Sequence, residues 1–200
     1  MDLKPDEDLQ LISETARRFG EEMLAPKMRE AEAAGRVDDE TRQAFREIGL
    51  AGLEWPEEAD GAGLGSVARV LVNEELGAAD AGAALALDGT GPALYPILEM
   101  GGDVAKLPSE GQRVLLVSEF DGDLGIDQER VNGTIPWVPA SEVDSIVVLA
   151  GDRAATIRSG FTIDPLRGAG LRAAGAGELR LVDAQAHDLL EDPAGAARAR

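Results

Sequence analysis

The chain of 200 residues contains no cysteine and a single histidine, His187. Without cysteine there is no disulfide framework, no thiolate zinc or iron–sulfur ligation and no thiol nucleophile. One imidazole leaves no second histidine for a metal cluster, and no metal is expected. Basic charge is also scarce. Nineteen Lys and Arg stand against 38 Asp and Glu, a formal net charge of -19. That balance argues against nucleic acid and anionic membrane as partners, because phosphate binding takes clustered cations that release counterions. No run approaches the roughly 20 apolar residues of a membrane span. The opening MDLKPDEDLQ is too acidic for a secretory signal, so a cytoplasmic protein is expected.

The composition present is that of a globular chain, with 44% hydrophobic residues. In the first half, Leu9, Ile12, Phe19 and Met23 recur at helical spacing behind Pro5 and the acids Asp6, Glu7 and Asp8, which suit a first turn. Asp38 or Asp39 is placed to cap a second helix carrying Phe45 and Ile48 and ending at Gly49. EWPEEADGAGLG reads as a loop. Ser66 is expected to cap a third helix with Val67, Val70 and Leu71 inward, and Asp80 a further one. A last helix is expected from about Pro92 to Met100, stopping at Gly101-Gly102.

After Gly111 the period changes. RVLLVSE (113–119), DSIVVLA (144–150), ATI (155–157) and ELRLV (178–182) are short, rich in β-branched residues and bounded by Gly, Asp or Pro. The expected fold class is therefore α+β, an N-terminal all-α helical domain followed by a small antiparallel β-sheet or barrel domain. The expected divisions are 1–108 and 109–192, with 193–200 a linker or the start of another helix. Acid is unevenly spread, 24 acids and 10 bases over residues 1–110 against 14 and 9 over 111–200.

Several constellations invite a chemical reading. Gly61, Gly63 and Gly65 lack the preceding strand that a dinucleotide fingerprint needs, and read as an interhelical loop. The acid pairs Glu57/Glu58 and Glu74/Glu75 read as solvated faces, since adjacent helical residues diverge. Ser118, Asp183 and His187 form a triad only on paper, with no nucleophile elbow around Ser118. Arg130, Arg153, Arg158, Arg167 and Arg172 make the second half the less hostile surface for an anion. Trp137 lies between two prolines after the turn-like Asn132-Gly133, so its indole is either presented by a stiff segment beside a strand or buried in the core.

Taken in order, these segments resemble the acyl-CoA dehydrogenase family. The resemblance rests on LAP at Leu24 to Pro26, the IGLAGL turn, the PEEADGAGL loop and VLVNEELGAADAGAALAL, and covers about residues 6–102. The second half is similar to the family's middle β domain in a shortened form. LLVSEFDGD occupies the place of the TEPxAGSD segment, with Ser118 for its threonine, Glu119 retained, Phe120 for its proline and Asp123 for its serine. VNGTIPWVPAS resembles NGxKxWITN, keeping Asn132, Gly133 and Trp137 and placing Pro139 where threonine normally stands.

The resemblance implies FAD as cofactor and Leu115, Val117, Ser118, Trp137, Val138 and Pro139 as its contacts, the hydroxyls and backbone meeting the flavin's polar edge and the aromatic lying against the ring. Ser118 can donate one bond there, while Pro139 has neither hydroxyl nor N–H. The implied chemistry is α,β-desaturation of an acyl-CoA thioester. In the family a C-terminal helical domain supplies the catalytic glutamate, so no catalytic residue is assigned. The expectation is a flavoprotein subunit or fragment, incomplete alone and forming a homo- or hetero-oligomer with another such subunit. The alternative is a non-catalytic scaffold subunit.

Overall fold

Asp6 opens the first helix by accepting the Leu9 amide proton at 2.9 Å, which satisfies one of the free donors of the first turn. The computed structural model describes residues 5–57, 61–88, 90–103, 106, 112–168 and 170–200. Helix α1 spans Glu7–Phe19 and runs on through a π-helical turn, Gly20–Leu24, and a 3-10 turn, Ala25–Lys27. It is followed by α2 (Met28–Ala34), α3 (Asp39–Glu47), α4 (Gly65–Leu87) and α5 (Thr90–Glu99). A Cβ on Gly20 would lie 2.9 Å from the Ala79 Cβ, so the close approach of this turn to α4 depends on a residue without a side chain.

The chain divides into two compact units, Met1–Asp88 with Gly170–Ala174, and Gly89–Ala169 with Gly175–Arg200. Helix α5 thus groups with the sheet. The boundary expected near residue 108 lies outside the described residues.

In the helical unit, Ala16, Phe19, Leu24, Phe45, Val72 and Leu76 form the buried centre, with Leu9, Ile12 and Met23 packed against it. The Phe19 and Phe45 rings meet at 5.7 Å between centroids, a tilted arrangement favoured by their quadrupoles. Asp38 caps α3 through the Thr41 amide. Asp80 interrupts α4 with extended φ/ψ and accepts from the Gly82 and Ala83 amides at 2.9 and 3.1 Å, capping the segment that follows.

Three helical expectations are corrected. Helix α4 starts at Gly65 behind Leu64 with no side-chain cap, so Ser66 has no capping role. Val67 and Val70 are exposed, and Ala68, Val72 and Leu76 turn inward instead. Both sets fit a 3.6-residue period, and only the shape of the neighbouring helices selects the phase. Ile48 is likewise exposed.

The second unit holds a seven-stranded sheet: β1 (Val114–Ser118), β2 (Asp123–Asp127), β3 (Arg130–Val138), β4 (Ser145–Ala150), β5 (Arg153–Ile157), β6 (Phe161–Pro165) and β7 (Gly177–Glu191). Strand order is β1-β4-β5-β7-β3-β2, with β6 also paired to β7. The architecture is α+β, as expected. All pairings are antiparallel except β1 with β4, which run parallel, so the sheet is mixed.

Strand β4 shows why its sequence is apolar throughout. Ile146 and Val148 face the main sheet core, Val147 faces Ala93 and Ile97 of α5, and Leu149 faces Ala196 of α6 (Pro193–Ala199). A strand buried on both faces loses the alternation of a half-exposed one.

Strand β7 serves both halves of the sheet, pairing with β5 through its C-terminal part and with β3 and β6 through its N-terminal part. Its pairing slips where Asp183 and Asp188 adopt φ of 49 and 52. Aspartate tolerates that region better than most residues, and each slip bends the strand as a bulge does.

Candidate functional site

Strand β1 delivers Ser118 to the start of a tight turn that leads into β2. Leu115 and Val117, two residues apart, point into the sheet core together with Val138 of β3. Their side chains are therefore committed to packing, and their backbones run in the β1–β4 and β3–β7 ladders.

Ser118 is bound on every polar group. The Asp121 Oδ2 accepts from the Ser118 amide at 2.7 Å and from its hydroxyl at 2.9 Å. The Asp121 amide donates to the Ser118 carbonyl at 3.0 Å, and the Phe120 amide donates weakly to Ser118 Oγ at 3.3 Å. A serine followed three residues later by an aspartate is the sequence signal for such a closed turn. The resemblance assigns no role to Asp121. Beside this turn the Glu119 Oε1 accepts from Arg200 at 2.8 Å, while its Oε2 is buried without a partner. The Arg200 guanidinium lies 5.8 Å from the centre of the exposed Phe120 ring.

Trp137 sits in β3 with 48% of its surface exposed, so it is not a core residue. Asn132 and Gly133 lie within β3 rather than in a turn. The β2–β3 reversal falls at Gln128, which takes φ of 52. A Cβ on Gly133 would lie 2.2 Å from the Asp123 carbonyl, so the glycine serves strand contact and not a reversal. The register of β3 on β7 slips between Ile135 and Val138, across Pro136, which has no N–H to give the ladder. Pro139 follows the strand, half-buried.

Several of the other candidates take structural roles. The Gly61, Ala62, Gly63 and Leu64 amides donate to the Pro56, Gly52, Trp55 and Leu53 carbonyls at 3.1, 3.1, 2.8 and 2.9 Å, so these four N–H groups are spent within the loop and do not cradle an anion. Glu75 accepts from the Ser13 hydroxyl at 3.0 Å. Glu58 lies outside the described residues. Asp183 lies 3.6 Å from Arg130, and the Ser118 proton goes to Asp121, so neither joins His187 in a triad. Arg153 and Arg158 pair with Glu191 and Asp188 at 3.1 and 3.2 Å. Among the described residues no cluster of three or more His, Asp or Glu is arranged to hold a metal ion, and no helix is long and apolar enough to cross a membrane.

The donor set does not fit the flavin edge that the resemblance implies. A flavin pyrimidine edge is rich in acceptors and needs N–H or O–H groups facing it. Of the two positions where the resemblance places hydroxyls, Ser118 has given both its protons to an internal carboxylate, and Pro139 has none.

Comparison with known proteins gives one family match, to the acyl-CoA dehydrogenase N-terminal domain, over residues 6–107. No curated protein sequence matches. Among solved structures, the chain is similar to a glutaryl-coenzyme A dehydrogenase in complex with glutaryl-CoA. The TM-score is 0.81 at 21% identity, covering 100% of this chain and 60% of that one. It is also similar to butyryl-CoA dehydrogenase from Megasphaera elsdenii, with TM-score 0.79, 21% identity and coverage of 97% and 61%. A structure described for the electron transferring flavoprotein of Acidaminococcus fermentans matches with TM-score 0.79, 23% identity and coverage of 98% and 60%. The chain thus spans about three fifths of the length of the solved chains it matches. At these identities the likeness is one of fold.

Proposed function

The chain belongs to the acyl-CoA dehydrogenase family, and from that premise we propose that it contributes the helical and middle β portions of an assembly that desaturates an acyl-CoA thioester with FAD. The observation that carries this reading is the family match over residues 6–107. The described residues offer no glutamate that matching assigns as the base. The reading is accordingly of a subunit or portion that works with a further helical domain or a second acyl-CoA dehydrogenase subunit. Acyl-CoA is the proposed substrate, a homo- or hetero-oligomer the proposed state and the cytoplasm the proposed location. The domain divisions 1–108 and 109–192 are part of the same proposal.

The test is dye reduction driven by acyl-CoA thioesters of graded chain length. It is measured with the chain alone and with a co-expressed acyl-CoA dehydrogenase subunit from the same genome. Activity that appears only in the mixture is the expected result, and no thioester-dependent reduction in either sample would overturn the reading.

A second reading, a scaffold subunit that binds neither flavin nor thioester, is favoured by one observation. The Ser118 donors are already consumed, and Pro139 supplies none. Under it, the chain associates stably with its partner while the flavin and substrate are held by that partner.

A further inference from the structure

We propose that Asp121 closes this edge of the β unit to flavin, by holding internally the two protons of Ser118 that a flavin ring would otherwise accept. The inference rests on the family reading above for the place of the flavin, and on this chain's own geometry for the obstruction.

A serine hydroxyl carries a single proton, and once that proton is donated it presents only lone pairs. At Ser118 the hydroxyl and the amide both point to the same carboxylate oxygen, at 2.9 and 2.7 Å. Bonds to a carboxylate are shorter and stronger than bonds to a neutral carbonyl. To serve a flavin carbonyl or ring nitrogen, Ser118 must exchange two charge-assisted bonds for two neutral ones. Asp121 must then be left to solvent, with its negative charge directly beside the acceptor-rich ring edge.

The rest of the edge does not make up the loss. Pro139 has no proton to offer, and the side chains of Leu115, Val117 and Val138 are committed to the core. The half-exposed Trp137 indole offers a stacking face and a single N–H, one donor against the two that Ser118 withholds. Asp121 is itself exposed and lies within a turn only four residues long. Its carboxylate can be removed without opening the core, so the closure is separable from the fold.

The experiment is equilibrium titration of the full chain with FAD and, to exclude effects of the pyrophosphate charge, with riboflavin. Flavin fluorescence anisotropy is the readout. Four proteins are compared: the unaltered chain, Asp121→Ala, Ser118→Ala and the double variant. Weak flavin uptake is expected for the unaltered chain and for Ser118→Ala alike. Asp121→Ala is expected to bind both flavins at least tenfold tighter, no less than the worth of one restored hydrogen bond, and the double variant, whose amide at position 118 is still freed, to lose only the hydroxyl's share of that gain.

Asp121→Asn keeps a weaker acceptor in an intact turn. It is expected to show a smaller gain in the same direction, which keeps the test valid should Asp121→Ala disturb the fold. Equal affinity in the unaltered chain and Asp121→Ala overturns the proposal. So does weaker binding by Asp121→Ala, which would mean that the carboxylate accepts from the flavin. Tight flavin binding by the unaltered chain overturns it too, while leaving the proposed flavoprotein role intact. That role fails only on the separate dye-reduction measurement.

Discussion

Ser118 and Asp121 are joined three times across one turn: the serine amide and hydroxyl both donate to the aspartate Oδ2, and the aspartate amide donates back to the serine carbonyl. The turn links the end of β1 to the start of β2, so its closure also sets how β2 leaves the sheet. Removing the carboxylate leaves the Ser118 amide without its charged partner. Asp121→Ala is expected to lower the unfolding temperature by a few degrees, measured by thermal circular dichroism. An unchanged transition would show that water replaces the carboxylate at no cost.

The phase of α4 makes a sharp contrast between two positions six residues apart. Leu76 is fully buried, and Val70 is 62% exposed. Leu76→Ala is expected to destabilise by about 3 kcal/mol, combining lost burial with a residual cavity. Val70→Ala should stay within about 0.5 kcal/mol of the unaltered chain. Urea unfolding of the two variants checks the assignment, and a reversed order would mean that the apolar stripe at Val67 and Val70 is the packed one.

Two glycines on paired strands should respond in opposite ways. A Cβ on Gly133 meets the Asp123 carbonyl at 2.2 Å and the Leu124 Cα at 2.9 Å, whereas one on Gly125 meets nothing within 4 Å. Gly133→Ala is expected to part β2 from β3 and cost more than about 2 kcal/mol. Gly125→Ala should be neutral or slightly stabilising, through reduced freedom of the unfolded chain. Amide exchange along β2 reads the difference, with fast exchange expected only in the first variant.

The acid limb of stability should carry a contribution from Asp38. Burial by itself pushes its carboxyl up, but the Thr41 amide and hydroxyl and the Lys27 ammonium outweigh that and hold it below its ordinary value of 3.8. With the folded value lower than the unfolded one, the stabilisation is present above the ordinary carboxylate range. It is lost as pH falls through 3.8 towards the lower folded value. Asp38→Ala should cost about 1 kcal/mol near neutrality and flatten the acid side of the stability profile. A variant whose stability runs parallel to the unaltered chain down to about pH 3 would rule out this linkage.

Much of the fold was legible because its signals are local. Asp6, Asp38 and Asp80 each accept from an amide two or three residues ahead, and such caps are written in neighbouring residues. The apolar runs of β1 and β4 likewise announced strands. Strands β2 and β6 did not, since Asp123–Asp127 and Phe161–Pro165 are mostly polar or small and owe their form to pairing with β3 and β7. In the candidate site, Trp137 stands out by its flanking prolines, Ser118 and Pro139 are candidates by resemblance alone, and no sequence signal used there points to Asp121 as the partner of Ser118.

By itself, then, the sequence determined the class of the protein: helices first, strands after, strongly acidic, built without cysteine and patterned like one family. Those properties follow from residue types and short spacings, which act through local sterics and local hydrogen bonds. Tertiary structure alone decided which of two equivalent apolar stripes of α4 is buried and that Asn132-Gly133 continues a strand. It also decided that Trp137 stays half-exposed and that β7 bends at two aspartates to join both halves of the sheet. Each of these turns on contacts between segments far apart in the chain, where several arrangements share the same local energy and packing selects one of them.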